Sequence, residues 1–196
     1  MAPRLLSKQN ILFGRMLMNI NFKADYYRMT GSGSTNKLSV LINLLFRHNI
    51  RFMYLHRKYA SHPNLLVKYL MYRMSRKYGL EISCNAKIGP GLYLGHPYNI
   101  TVAEDVVIGK NVNLHKGCTI GRENRGSRKG LPTLGDNVFV GINAVIVGDV
   151  NIGSDVVIAP NAFVNFDVPD HSVVIGNPGV VHKKENATFG YVNFCV

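Results

Sequence analysis

The chain has no tryptophan, three cysteines and only 11 acidic residues among 196. Cys84, Cys118 and Cys195 are odd in number and lack the spacing of metal ligands, which argues against a disulfide framework and for a reduced, cytoplasmic setting. No apolar run approaches the roughly 20 residues that span a bilayer. The longest, Leu38 to Phe46, is interrupted by Ser39 and Asn43. The basic, apolar stretch from Met1 to Ile20 is broken by Lys8, Asn10 and Arg15, so it does not read as a secretory leader.

The scarcity of acid is uneven along the chain. Residues 1–80 hold 14 Lys and Arg against one acid, Asp25, for a net +13, whereas residues 81–196 hold 9 against 10. The change near Gly79 divides the sequence into a basic helical segment over 1–79, a repeat domain over 80–181 and a tail over 182–196. Within the first segment, residues 36–78 have helical spacing. Leu38, Leu41, Ile42, Leu45 and Phe46 form one apolar stripe, and Leu65, Leu66, Tyr69, Leu70, Arg73 and Met74 repeat the spacing. Gly31 to Ser34 reads as a linker before these helices, and His62-Pro63 as a break between them.

From Ile82 the period becomes six. Ile82, Ile88 and Leu94 are followed by Val102, Ile108, Leu114 and Ile120, then by Leu134, Val140, Ile146, Ile152, Ile158 and Val164. A strict six-residue beat fits neither an α-helical face nor an alternating strand. It predicts a parallel β-helix, three beats to a coil and about four coils, with the aliphatic residue inward and small residues at the corners. Extra residues must leave such a coil as loops, so function is expected where the beat is delayed. The delays fall at 95–100, which contains His96, and at 122–131, which contains Arg125, Arg128 and Lys129.

A neutral imidazole can take a proton from an attacking hydroxyl and return it to a leaving group, and a carboxylate can fix its tautomer. Read alone, His96 is equally a surface loop residue, and His115 a solvated corner residue. His48, His56, His62, His171 and His182 read as surface or local hydrogen-bonding groups. A zinc centre of the three-histidine kind is not expected, because only His96 and His115 fall within the coil, and no metal is predicted.

The segments EISCNAKIGPGLYLGH (81–96), VVIGKNVNLHKGCTIG (106–121), NRGSRKGLPTLGDNVFVG (124–141) and DVPDHSVVIGNPGVV (167–181) resemble the left-handed β-helix acyltransferases. Within these, the chain is similar to the serine acetyltransferase group and its polysaccharide O-acetyltransferase relatives. The resemblance implies a left-handed parallel β-helix behind an α-helical segment, a homotrimer, and acetyl-CoA as cosubstrate in the groove between subunits. It places His96 as general base and Glu81, where the family has Asp, as its orienting carboxylate. Gly121, Gly141, Ile142, Ala159 and Pro160 would line the coenzyme groove, with Lys183 and Lys184 at the 3′-phosphate. His115, Arg125 and Arg128 are the candidate acceptor contacts.

Three family residues that grip serine are missing. Gly95 stands for an aspartate, and Gly130 and Leu131 stand for an Arg-His pair. These losses favour a sugar hydroxyl of a surface polysaccharide or its precursor as acceptor. Serine is the alternative, with Asp25 and Arg28 as substitute grips. A reading of another class is a non-catalytic β-helix scaffold held at a membrane. The +13 segment is expected to cap the solenoid and to be attracted to an anionic membrane surface at the inner face. It has no base-reading motif, so nucleic acid is not an expected partner.

Overall fold

The computed structural model describes residues 19–33 and 36–196; Met1 to Met18, Ser34 and Thr35 lie outside it, and with them most of the stretch from Met1 to Ile20 and the end of the linker. Four helices come first among the described residues: α1 (Ile20–Thr30), α2 (Lys37–Phe46), α3 (His48–Ser61) and α4 (Leu65–Tyr78). Asparagines start three of them. Asn19, Asn36 and Asn64 each accept a hydrogen bond from a first-turn amide, supplying a partner that the helix itself cannot. Gly31 and Gly79 end α1 and α4 at φ 67° and 66°, where a Cβ would be strained.

The helix α1 lies before the stretch read as helical. Its buried residues Phe22, Tyr26 and Met29 recur at i, i+4 and i+7, a pattern interrupted for the eye by Asp25 and Arg28 on the same buried side. The stripes on α2 and α4 form helices, but apart from Met74 they face largely outward. Leu41, Leu45 and Phe46 are exposed, and α4 buries Val67 and Met71 beside Met74.

The rest of the described chain is a left-handed parallel β-helix of about five coils. Its first face stacks β1 (Leu80–Ile82), β4 (Ile100–Val102), β7 (Thr119–Gly121), β10 (Val145–Val147) and β13 (Phe163–Val164). The second stacks β2 (Lys87–Ile88), β5 (Val107–Ile108), β8 (Thr133–Leu134) and β11 (Asn151–Ile152). The third stacks β3 (Tyr93–Gly95), β6 (Asn113–His115), β9 (Val138–Val140), β12 (Val156–Ile158) and β14 (Ser172–Ile175), and then turns antiparallel into β15 (Val180–Lys183).

Twelve of the thirteen aliphatic beats are buried in the core, and Ile88 packs against it. Four coils become five because the rhythm shortens: Val164 is followed four residues later by Val168, which bridges Ile152, and then by Val174. The residue two before most beats is also inward, as in Leu92, Ile100, Val106, Val112 and Cys118, because a strand repeats its side every second residue. Corners are made by Asn and Asp in the left-handed region, including Asn99, Asp105, Asn111, Asn137, Asn143, Asp155 and Asn161 at φ 53–64°. The glycine column Gly89, Gly109, Gly135 has a different cause. A Cβ on Gly89 would lie 2.7 Å from the Gly109 carbonyl, and one on Gly109 would lie 2.5 Å from that of Gly135.

The helices seal the open end of the first coil through a buried ion pair. Arg57 on α3 donates to both carboxylate oxygens of Asp25 on α1, at 2.8 and 3.1 Å. The same carboxylate accepts the Leu92 amide at 2.9 Å, and the same guanidinium donates to the Ile88 and Gly89 carbonyls at 2.6 Å. His56, buried one residue away, bonds the Ser83 carbonyl. At the far end, the tail after β15 folds back across the third face. Asp155 accepts from the Ala187 and Thr188 amides and the Thr188 hydroxyl, Tyr191 packs on Phe139, Phe194 packs on Tyr27, and Val196 pairs with Asn111. Burial tends to raise the Asp155 pKa, but these bonds and His171 hold it at about 2.

Substituting Asp25→Ala leaves Arg57 charged, buried and without its counterion. The expected cost is about 3–5 kcal/mol, read as a fall in the denaturant midpoint of unfolding. An unchanged midpoint would show that the pair does not hold the cap in place.

Candidate active site

The delayed beat puts His96 on the edge between the third and first faces. It follows β3 directly, at φ 47°, and its side chain is exposed. The extra residues are held from below and above. Asn99 N–H donates to the Tyr78 carbonyl at the end of α4, Gly117 N–H donates to the Tyr98 carbonyl, and His48 bonds the Pro97 carbonyl at 3.3 Å. The His48 ring also stacks on Tyr78 at 4.3 Å and contacts Tyr98. The loop geometry is therefore set by the helical cap as much as by the coil.

Glu81 lies in the middle of β1 on the first face, one rung beside Thr101 of β4, and is exposed. No hydrogen bond joins it to His96 among the described residues. Gly141, Ile142, Ala159 and Pro160 do share the His96 edge, two and three coils further along. A Cβ on Gly141 would lie 2.7 Å from the Pro160 nitrogen, so that part of the edge must stay flat. Gly121 ends β7 on the other border of the first face, where Gly148 N–H donates to its carbonyl.

Two groups of expected contacts are placed elsewhere. Lys183 and Lys184 pair beside Ser172 and His171, so they stand at the opposite edge of the third face from Ala159 and Pro160. The antiparallel turn into β15 carries them there. The arm over 122–131 forms a small hairpin, Glu123 against Gly130, and its Arg128 reaches Asp167 at 3.4 Å; it projects between the first and second faces. Asp25 is fully buried with its oxygens occupied by Arg57 and Leu92, so it has no free oxygen for an acceptor.

Arg28 and His115 meet in a place that the sequence did not suggest. They line a cavity of about 310 Å³ together with Tyr93, Asn113, Phe139 and Tyr191. Arg28 is 2% exposed; one amino group bonds Asn113 Oδ1, while its Nε and the other amino group are buried without partners. The His115 Nε2 is also buried and unpartnered. Burial lowers the His115 pKa, with nearby His96 adding to the shift, so the ring is neutral near pH 7. Burial likewise lowers that of Arg28, although a guanidinium remains charged. Each unmet charged donor costs about 1–3 kcal/mol or more, which makes the cavity a receptive one.

The same ring explains Gly95. A Cβ there would lie 2.5 Å from Cε1 and Nδ1 of His115, which rests over it and against Phe139 at 4.6 Å. An aspartate at position 95, as expected of the family, would require the His115 ring one coil above to move. Gly130 is similar: at φ 155°, its Cβ would lie 2.8 Å from the Asp149 side chain. Gly95→Ala should therefore cost about 1–3 kcal/mol by overpacking. Adding His115→Ala should recover part of that loss, a non-additivity measurable in a thermal double-mutant cycle. Additive effects would show that the ring does not dictate the glycine.

Comparison with known proteins agrees with this architecture. Residues 132–165 match the family described as bacterial transferase hexapeptide (six repeats). A serine acetyltransferase of Staphylococcus aureus is 36% identical over 112 residues, covering 57% of this chain and 53% of that protein, and its Staphylococcus epidermidis counterpart matches equally. The chain thus spans about half the length of the curated relatives it matches. Among solved structures, Neisseria gonorrhoeae serine acetyltransferase in complex with serine is 30% identical, with a TM-score of 0.65, over 90% of this chain and 71% of that one. The soybean serine acetyltransferase apoenzyme, at 23% identity and a TM-score of 0.70 over 88% and 74%, shares the fold. With serine acetyltransferases as its relatives in both sequence and structure, the chain belongs to the hexapeptide-repeat transferase family.

Proposed function

We propose that the protein is an acyltransferase that moves an acetyl group from acetyl-CoA to the hydroxyl of a small acceptor, with L-serine the acceptor its relatives favour. The observation that carries this reading is His96, displaced from an otherwise regular coil and presented on the edge that also holds Gly141, Ile142, Ala159 and Pro160. His96 takes the proton from the acceptor hydroxyl as its oxygen forms the new ester bond. As the carbon–sulfur bond breaks, His96 gives that proton to the departing thiolate. Glu81 is the carboxylate on the adjoining face, suited to orient the ring once the groove closes. The groove itself is shared in a homotrimer: one chain presents the His96 edge, and a neighbour brings the border with Gly121, Arg125 and Arg128.

A sugar hydroxyl is the second reading. It is favoured by one specific observation, that side chains at Gly95 and Gly130 would crowd those of His115 and Asp149. Release of free thiol from acetyl-CoA, measured with L-serine and with a panel of sugars and nucleotide sugars, separates the two. His96→Ala should keep the trimer and lower turnover by at least 10²-fold, the usual scale of a positioned base. A variant with undiminished turnover would remove His96 from the chemistry, and no turnover with any acceptor would favour a scaffold.

The helical segment supports a second proposal, peripheral attachment to an anionic membrane surface. Leu41, Leu45 and Phe46 on α2 and Leu65, Leu66 and Tyr72 on α4 are exposed; Arg73, Arg76 and Lys77 line a surface groove with Tyr72, and Arg51 bonds the Leu45 carbonyl. Two copies of a segment carrying 14 cations and one acid would repel, whereas an anionic lipid surface satisfies both the apolar and the basic groups. The protein should sediment with phosphatidylglycerol vesicles, less so at high salt and less with Leu45→Asp. Equal recovery with phosphatidylcholine, or none with either, would sink the proposal.

A further inference from the structure

The interior beside the cavity beneath the returning tail holds an imbalance of charge. Two arginines, Arg28 and Arg57, are buried between the helices and the first coils, and one acid, Asp25, is buried with them. Both oxygens of Asp25 bond Arg57, so Arg28 feels that carboxylate only through space and has no hydrogen-bonded counterion. Arg28 is fixed through its bond to Asn113, whose own amide donates to the Tyr191 carbonyl. It is therefore a preorganised cation in a cavity lined by aromatic rings, with two of its nitrogens unmet. Its two unmet nitrogens, Nε and one terminal amino group, lie on different edges of the guanidinium, and each can donate a charge-assisted hydrogen bond to a carboxylate or phosphate oxygen.

His115 completes the arrangement. Its unpartnered Nε2 lines the same cavity, and as a neutral ring with the proton on Nε2 it donates a further hydrogen bond. It sits over Gly95, the residue immediately before His96. We propose that the cavity formed by Arg28, His115, Tyr93, Asn113, Phe139 and Tyr191 is a binding site for a small anionic group, a carboxylate or a phosphate. Its further role, holding the anionic end of the hydroxyl acceptor beside His96, rests on the transferase reading above. In that role the site selects acceptors by their negative group and makes no demand for an amine, since it contains no free carboxylate.

The test is calorimetric titration of the full chain, without acetyl-CoA and at constant ionic strength, using inorganic phosphate and D-glycerate, with glycerol as the neutral control. Saturable binding of at least one anion and none of glycerol is expected, and the two anions distinguish phosphate from carboxylate recognition. Arg28→Gln should weaken binding at least tenfold. His115→Gln, a change nearer the surface, should weaken it several-fold and serves if the first variant does not fold. Absence of anion binding by the wild-type chain, or equal binding by both folded variants, overturns the site. Anion binding without acetyl transfer would leave the site standing and reject the transferase reading. Turnover without anion binding would do the reverse.

Discussion

The structure depends on the buried pair between Asp25 and Arg57. A parallel β-helix has an open end, where the first coil exposes carbonyls and amides that no earlier strand satisfies. Here one guanidinium takes the Ile88 and Gly89 carbonyls and one carboxylate takes the Leu92 amide, while the two charges bind each other. Burying charges is costly, and this pair offsets the cost because nearly every donor and acceptor is used. The pair also fixes α1 and α3 over the first coil. That places Arg28 against the third face and brings His48 and Tyr78 beneath the His96 loop.

The repeat was legible in the sequence because each inward position demands an aliphatic side chain, and six residues separate one face from the next. His96 was legible as the interruption of that rhythm. The cap was less so. On α1, Asp25 and Arg28 belong to the buried side, and their polarity hides the apolar spacing of Phe22, Tyr26 and Met29. On α2 and α4 the spacing gave the helices but not the direction their stripes face, which depends on which side meets the coil.

The site was legible only where its residues are local to the coil. The edge shared by His96, Gly141 and Ala159 follows from counting in sixes. The meeting of Arg28 with Asn113 spans 85 residues, and no periodicity connects a helix to a strand at that distance. Lys183 and Lys184 stand at the other edge of the third face because the antiparallel reversal after β14 breaks the count that held for every earlier strand. Gly95 was visible as a missing aspartate, while its cause, the ring of His115 above it, required the stacking register of β3 and β6.

Solenoids are nearly one-dimensional: each coil touches only its neighbours, so such folds can fray from either end. The returning tail changes that here. It bonds Asp155 in the fourth coil, packs on Phe139 in the third, pairs with Asn111 near the second and rests on Tyr27 of α1. A strap laid across the rungs links the last coils to the cap, so loosening one end strains the other. Unfolding of this β-helix is thereby driven toward a single cooperative event, although its repeats alone would allow it to unwind coil by coil.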